Sequence, residues 1–481
     1  MHPSEAETNK WRELVAIVEE TPDHTLSDIA SYVTEAEIES SQAYELAHLA
    51  LFDFIGCALK ALDEAECRRV IKPIVPDAIV PGGSRVPGTG YEFDPVTAAF
   101  AIGTMGRWLD FNDSWFGKGG GHPSDMWGAI LATADYFARR GRDIKMDELL
   151  TLGIKAYEIF GLHLMKNDFG PYDYTAPLKA ATAAVICRLA GGEKCEIINA
   201  VSQGWADGQP LRIYRHPYTT PRKNWGSPDA AARGIWHALK AVDGEAGFPR
   251  VMSTADVGVH DAEQRGVPFI YPAPYGCHVM ENILFKVYPA QFRAQTAMEA
   301  VIELYPMVQD RLGEIERIDV YTHERAMRTV DKRGPLTSAS ERDHCMQYIV
   351  AVGLIHGCLE YRHYHDETAS DPRVDLLREK IQLIERESYT KGFADPTVRS
   401  DATAVQVIFV DGSSSAEVEV LFPLGDARRR DKARKVLSQK FLQNTTDCLV
   451  SVNEKKFREL YHDQDRLRAM SVDSFMAILA V

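Results

Sequence analysis

The stretch "SSQAYELAHLALFDFIGCALKALDEA", residues 40–65, determines the fold class of the first half of the chain. Its serines can cap a helix, and the run that follows is so apolar that it predicts a buried helix. Further helical runs are predicted at 98–110, 126–141, 146–165, 176–192 and 229–243. Several of them end in a glycine that suits a left-handed cap. Because many positions are Ala or Gly, the helices can approach closely, and the sequence predicts a stacked all-α domain.

The pattern changes after about residue 282. "IERIDVYTH" (315–323) alternates apolar and polar residues as a half-buried strand does. "AVQVIFVDGSSSAEVEVLFPLG" (404–425) is typical of a hairpin that turns at Asp411-Gly412. Helices are predicted at 295–308 and 343–360, and again after residue 430. We therefore predict a mainly α protein with a large helical domain over 1–282, a smaller α+β unit over 283–428, and a helical segment over 429–481 that could rejoin the first domain.

Length, charge and cysteine spacing limit the possible functions. A chain of 481 residues exceeds what one core usually organises, so two domains are expected. The net charge of −15 argues against nucleic acid or an anionic membrane as the main partner. No apolar run suggests a membrane span, and the N-terminus resembles neither a signal nor a transit peptide. Eight cysteines without any C-x-x-C spacing favour free thiols and no metal cluster. We expect a cytoplasmic protein.

The loop "DFNDSWFGKGGGHPSD" (110–125) places acids and one histidine between two apolar runs. Pro123 suits the first turn of the following helix, so His122 is expected at a helix N-terminus. His122 could be a capping or core residue. Beside Asp110 and Asp113, it could instead transfer protons. The glycines are consistent with a flexible loop, and a loop histidine is expected to bury little surface.

Two segments concentrate positive charge in this acidic chain. "GQPLRIYRHPYTTPRKNWG" (208–226) has four basic residues and no acid: Arg212, Arg215, Arg222 and Lys223. They could form a solvated face or grip a small polyanion, since a guanidinium binds a carboxylate with two hydrogen bonds. "YGCHVMENILFKVYPAQFRAQT" (275–296) adds Lys286 and Arg293 where the second domain begins. Basic groups facing acids and an imidazole across a cleft imply an anionic substrate.

These segments, with "KRGPLTSASERDHCMQY" and "PLGDARRR", resemble the MmgE/PrpD family of 2-methylcitrate dehydratases from about residue 30 to the C-terminus. The resemblance implies a large helical domain built from both chain ends, 1–282 and 429–481, with the α+β unit 283–428 as a lid domain between them. It also implies homodimers and a cofactor-free, metal-free dehydration of a 2-alkylated tricarboxylate to the cis-aconitate analogue. Decarboxylases that form itaconate from cis-aconitate share the fold. A small tricarboxylate is therefore the expected partner, with neither nucleic acid nor membrane.

The resemblance also implies roles for individual residues. Asp110 and His122 correspond to the family's loop aspartate and histidine, Lys223 to its active-site lysine and Lys286 to the lysine at the lid hinge. We predict Asp110, His122 and Lys223 as catalytic residues, although which group is base and which acid stays open. The loop lysine Lys223 is expected to contribute little to the core. The predicted substrate-binding residues are Asp113, Ser114, Tyr172, Asp173, Arg212, Arg215, Lys286, Gln291 and Arg293.

The chain departs from the family pattern at three places, one of which is the Gly-rich "FGKGGG" (116–121) in place of a bulkier loop. Tyr172-Asp173 replaces an Asp-His pair, and Gln291 and Arg293 replace a Glu and a His. The loss of two histidines should change the acid–base groups or the alkyl group that the site accepts. Three hypotheses stay open: a hydro-lyase on 2-methylcitrate or a larger 2-alkylcitrate, a cis-aconitate-type decarboxylase, and a non-catalytic tricarboxylate-binding relative.

Overall fold

The computed structural model describes residues 21–216, 219–271, 273–446, 448–449 and 451–480. Helices dominate, as the sequence predicts. In the helix Ser41–Lys60, the Ser40 side chain accepts a hydrogen bond from the backbone N–H of Ala43. This is the predicted serine cap. The longer helices outside the lid are His24–Glu35, Ser41–Lys60, Ala65–Val70, Pro95–Trp108, Trp127–Ala138, Met146–Lys166, Thr175–Leu189, Lys194–Ala206, Gly226–Val242, Arg430–Thr445, Ser451–Tyr461, Gln464–Ala469 and Val472–Leu479.

Short elements connect the helices. Two small antiparallel ribbons pair Ser84–Arg85 with Glu92–Phe93 and Trp115–Phe116 with Gly120–Gly121. Short α-helical turns occur at Val259–Ala262, His278–Glu281 and Asp366–Ala369. The 3-10 turns are Ala61–Asp63, Pro123–Met126, Arg212–Tyr214, Pro221–Asn224, Phe292–Ala294, Gln309–Glu314, Tyr361–Tyr364 and Ala427–Arg429.

The lid contains a four-stranded sheet in the order Ile381–Glu385, Ile315–Thr322, Thr403–Phe409, Val418–Val420. The first pair is parallel, with Ile318 opposite Ile381, and the other two pairs are antiparallel. The predicted hairpin is present, and Gly412 has a φ of +79° in its turn. Strand Ile381–Glu385 was not predicted, because five residues give little alternation. The lid helices are Gln295–Val308, Glu324–Val330, Ala339–Arg342, Met346–His356, Pro372–Lys380 and Glu387–Ala394.

Buried apolar side chains form two main cores. One joins residues 26–287 with residues 433–479, and the other lies within 290–409. The C-terminal helices reach the first core through aromatic contacts: the Phe52 ring lies 5.6 Å from that of Phe441 and 5.0 Å from that of Phe457. Contacts between Asp110, Lys223 and Asp343 join the loop 110–125 and the segment 208–226 to the lid. The domain boundaries at 282/283 and 428/429 stay a prediction.

Among the described residues, no helix combines the length and apolar character that crossing a membrane requires.

Candidate active site

Asp110 stands at the end of the helix Pro95–Trp108, where the chain reverses. Asp94 caps the start of this helix, since its carboxylate accepts hydrogen bonds from the N–H groups of the first turn. Asp110 has a φ of +47°, a left-handed conformation that aspartate tolerates better than most residues. Its side chain is only 1% exposed, so a charged carboxylate is held in the interior and requires partners there.

Three buried cations surround the Asp110 carboxylate. Arg107 and Lys286 each lie 2.6 Å from its Oδ1, and Lys223 lies 3.2 Å from its Oδ2. The Lys286 ammonium also donates to the Asp110 backbone carbonyl at 2.9 Å. Burial opposes ionisation, but the charges of Arg107, Lys223 and Lys286, with a smaller one from His344, outweigh it and hold the pKa of Asp110 well below its usual range. Burial, opposed by the Asp110 charge, lowers the pKa of Lys286 to about 8.

Lys223 joins the helical domain to the lid. It lies in the turn Pro221–Asn224, and its Nζ is 2.7 Å from Oδ2 of Asp343, which follows the lid helix Ala339–Arg342. The Lys223 side chain is fully buried. The expectation that a loop lysine contributes little to the core is therefore wrong, because this ammonium separates two buried carboxylates.

His122 has one ring nitrogen bound and one free. It precedes the 3-10 turn Pro123–Met126, as predicted, and its side chain caps no backbone N–H there. Its Nδ1 lies 2.6 Å from the Asp113 backbone carbonyl and 3.3 Å from the Ser114 hydroxyl. Since a carbonyl can only accept, Nδ1 carries the proton and Nε2 keeps its lone pair, 4.0 Å from Oδ1 of Asp110.

The environment of His122 keeps its imidazole uncharged. Burial and the charges of Arg107 and Lys286 hold its pKa well below the ordinary value. The His122 side chain is 12% exposed, so the expectation that a loop histidine buries little surface is also wrong. The loop folds inward as a small ribbon, and this brings the ring to the cations.

The glycines of this ribbon are required by close packing. A Cβ on Gly117 would lie 2.4 Å from the Met165 Cα, and one on Gly121 would lie 2.5 Å from the Tyr174 ring. The φ values of both glycines are negative or extended rather than left-handed. The flexible-loop interpretation of "GKGGG" is therefore replaced by a tightly packed turn against the helix Met146–Lys166.

His344 is a functional candidate that the sequence reasoning did not select. Its Nδ1 lies 2.5 Å from Oδ1 of Asp343 and 3.7 Å from Oδ2 of Asp110. Burial and the nearby Lys223 charge lower its pKa to about 4. Asp343, Arg107 and His344 were all passed over as parts of helices. The adjacent Asp-His pair in "ERDHC" (341–345) was the signal available, since a histidine next to a carboxylate suits proton transfer.

Asp110, Asp343 and His344 also have ligand atoms within 4.8 Å of one another, a spacing that could hold a metal ion. Lys223, however, lies between the two carboxylates, at 3.2 Å and 2.7 Å from them. A divalent ion would have to displace this ammonium. The positive charge between these two carboxylates is therefore that of the Lys223 ammonium.

Several predicted binding residues surround the cluster and already have partners within the protein. The Arg215 Nε donates to the buried Asp173 carboxylate at 2.6 Å. Tyr172 is half-buried and pairs with the backbone of Leu211. Burial raises the pKa of Asp113 to about 7, although Ser124 and Tyr157 donate hydrogen bonds to it.

Three other predicted residues have different surroundings, and one of them, Gln291, donates its backbone N–H to the Asp343 carbonyl at 2.9 Å. Nη1 of Arg293 donates to both carboxylate oxygens of Asp401, at 2.5 Å and 2.6 Å. The Arg293 guanidinium lies over the Phe116 ring. The Gln291 side chain accepts a hydrogen bond from the Arg293 backbone. Arg212 is exposed. These contacts place Gln291 and Arg293 in the framework of the lid, beside the loop that carries His122.

Comparisons with known proteins match two family models to successive parts of the chain. The family model of the MmgE/PrpD N-terminal domain matches residues 27–269, and that of the C-terminal domain matches residues 288–466. The chain is 42% identical over 471 residues to a 2-methylcitrate dehydratase of Salmonella typhimurium, covering 95% of this chain and 98% of the relative. It is 43% identical over 472 residues to that of Cupriavidus necator, covering 96% and 98%.

A third relative is named only as similar to a 2-methylcitrate dehydratase. The chain is 37% identical over 465 residues to a 2-methylcitrate dehydratase-like protein of Aspergillus oryzae, with 91% of this chain and 94% of the relative covered. The two family models and the near-complete coverage of these relatives lead to one conclusion: the chain belongs to the MmgE/PrpD family.

Proposed function

We propose that the chain is a hydro-lyase that dehydrates 2-methylcitrate or a larger 2-alkylcitrate to the corresponding 2-alkyl-cis-aconitate. The observation that carries the proposal is an uncharged imidazole with a free Nε2, that of His122, beside a buried cluster with excess positive charge. A base and several cations are what removal of water next to a carboxylate requires.

The charge of the cluster supports an anionic substrate. Arg107, Lys223 and Lys286 bring three positive charges to the two carboxylates of Asp110 and Asp343. One positive charge is therefore uncompensated within this group. A buried excess charge is costly, and the carboxylates of a tricarboxylate would neutralise it.

The same cations suit the chemistry. When a base removes the proton next to a carboxylate, negative charge moves onto the carboxylate oxygens. Fixed ammonium groups in a water-poor site stabilise that charge strongly, because no solvent has to reorganise. In our proposal Nε2 of His122 takes the proton, Asp110 holds the two lysines in place, and Lys223 and Lys286 bind the substrate's carboxylates.

A direct assay separates the candidate activities. Purified protein is incubated with 2-methylcitrate and with cis-aconitate, while the absorbance of the conjugated product and the release of CO2 are followed. Formation of the unsaturated acid without CO2 is expected. Release of CO2 from cis-aconitate would indicate a decarboxylase instead. Binding of 2-methylcitrate without turnover would indicate a non-catalytic relative.

The length of the alkyl group requires a substrate panel. The names of the bacterial relatives support 2-methylcitrate, whereas the relative of Aspergillus oryzae is named only as similar to such an enzyme. Comparing kcat/KM for 2-alkylcitrates of increasing chain length would identify the preferred one. Each additional buried methylene contributes about 0.8 kcal/mol to binding where the pocket accepts it.

We also propose a cytoplasmic homodimer that works without a metal or cofactor. Large apolar side chains that are at least half exposed recur between residues 211 and 270, and a second copy of the chain could cover them: Leu211, Ile213, Trp236, Phe248, Val257, Val267 and Ile270. Light scattering on the eluted protein would show a mass of twice 53.7 kDa. A monomer at micromolar concentration would contradict the proposal.

A further inference from the structure

A second imidazole reaches the Asp110 cluster from the lid. Nδ1 of His344 lies 3.7 Å from Oδ2 of Asp110, and Nε2 of His122 lies 4.0 Å from Oδ1 of the same carboxylate. The two rings therefore reach the two oxygens of one carboxylate, and each comes from a different domain. A dehydration has two proton transfers, one at carbon and one at oxygen.

The orientation of His344 is fixed by Asp343. Since the carboxylate accepts, Nδ1 of His344 carries the proton that bridges the 2.5 Å contact. Nε2 of His344 is then the nitrogen free to exchange a proton. The His344 side chain is 15% exposed, so the ring is neither sealed in the core nor open to bulk solvent.

The partners of the two rings differ in charge. His122 donates to a neutral backbone carbonyl and stands near Arg107 and Lys286, which disfavour its protonated form. His344 donates to a carboxylate, which stabilises an imidazolium. Burial opposes protonation of His344, and so does the charge of Lys223. A substrate carboxylate bound to Lys223 would neutralise it, so substrate binding itself favours protonated His344.

We propose that His344 is the second catalytic residue and that its imidazolium donates the proton to the leaving hydroxyl. This inference rests on the hydro-lyase proposed above. His122 takes the proton from carbon through Nε2, and the C–H electron pair forms the new double bond. The C–O bond breaks with its electron pair on oxygen, and Nε2–H of His344 donates the proton that completes water. His122 then releases one proton to solvent and His344 takes one up.

The test uses a substrate that does not need the acid. In an analogue of 2-methylcitrate with fluorine in place of the hydroxyl group, fluoride leaves without a proton. His344→Asn places an amide N–H where Nδ1 was, so it can keep the hydrogen bond to Asp343 while removing Nε2. We expect this variant to lose about 10²–10⁴-fold in kcat for dehydration and to eliminate fluoride at close to the wild-type rate.

Two further variants complete the comparison. His122→Asn should lose both reactions, because it removes the base. His365→Asn is the matched control, since His365 is a lid histidine that is 45% exposed and pairs with Glu64; it should keep both. Circular dichroism and the affinity for 2-methylcitrate show whether each variant is folded and binds.

The outcomes separate this inference from the function on which it rests. If the wild-type protein does not dehydrate any 2-alkylcitrate, the proposed function fails. If it does, and His344→Asn dehydrates normally, His344 is not the proton donor. Equal loss of both reactions in a folded, binding His344→Asn variant would also overturn the inference, because a donor to the hydroxyl is not needed for fluoride.

Discussion

Replacing Lys223 with methionine tests the central ion cluster. Methionine has a similar volume to lysine but removes the ammonium that lies 3.2 Å from Asp110 and 2.7 Å from Asp343. Both carboxylates are nearly inaccessible to solvent. The variant therefore leaves two buried negative charges close together, with Arg107 and Lys286 to compensate only one of them directly.

The structure sets the size of the effect. Removing one partner of a buried ion pair costs about 3–5 kcal/mol, and solvent does not screen the Lys223 contacts because that side chain is fully buried. The loss of unfolding free energy caused by Lys223→Met should depend on pH. The lowered pKa of Asp110 means that its ionised form stabilises the folded protein above the unfolded pKa, near 4, and that this contribution is lost on acidification. The difference in unfolding free energy between wild type and variant should therefore narrow as the pH falls below about 4.

The assay is urea unfolding, followed by circular dichroism at several pH values. Lys155→Met is the matched control, because buried Lys155 donates to the backbone carbonyl of Val33, lies 5.6 Å from the centre of the Tyr32 ring and forms no ion pair within the described residues. Lys155→Met should lower the free energy of unfolding by clearly less than Lys223→Met does. Adding Asp343→Asn to the Lys223 variant should recover part of the lost free energy of unfolding, since it removes one of the stranded charges.

A result that refutes the reasoning is easy to recognise. If Lys223→Met unfolds within about 1 kcal/mol of wild type at pH 7, or if its deficit is independent of pH, the ammonium does not hold the two carboxylates together. Activity gives a second measurement: the variant should lose about 2–4 kcal/mol of transition-state stabilisation. A near-normal kcat/KM would place Lys223 outside the active site.

Three more outcomes follow from the site. His122→Ala should reduce kcat by about 10²–10⁴-fold; a normal turnover with a lower melting temperature would mean that the loop is only structural. Burial raises the pKa of Asp113 to about 7 in the folded protein, above its unfolded value, so Asp113 favours folding at low pH and this contribution is lost as the pH rises to 7. Asp113→Asn should therefore weaken the decline in unfolding free energy with rising pH. An unchanged dependence of unfolding free energy on pH would contradict this. Activity should survive prolonged chelation, and a loss that added metal restores would show that the site needs an ion.

The helices were predictable because their apolar runs are long. The run at 146–165 corresponds to the helix Met146–Lys166, and the run at 229–243 to Gly226–Val242. Helix ends follow local signals, as the Ser40 cap shows. The strand Ile381–Glu385 was missed because it is short and obtains its hydrogen bonds from a strand more than sixty residues earlier in the chain.

The site was predictable only where its residues stood in distinctive segments. Asp110, His122 and Lys223 were selected, and the structure brings them together. Asp343 and His344 were not selected, since their proximity to Asp110 depends on how the lid meets the helical domain. No local pattern encodes that contact. Catalytic roles stay predictions until the variants are measured.

The position of Lys223 between two of the protein's own carboxylates has a consequence for ligand entry. The cations that would bind a substrate already have internal counter-ions, and only one positive charge of the group is uncompensated, so any further incoming carboxylate has to compete with Asp110 or Asp343. The measured affinity is then the difference between two sets of ion pairs and is far smaller than either. A molecule with a single carboxylate would gain too little to displace Asp343, whereas a tricarboxylate exchanges several pairs at once. Competition of this kind would select ligands by the number of their carboxylates before any contact with the alkyl group is made.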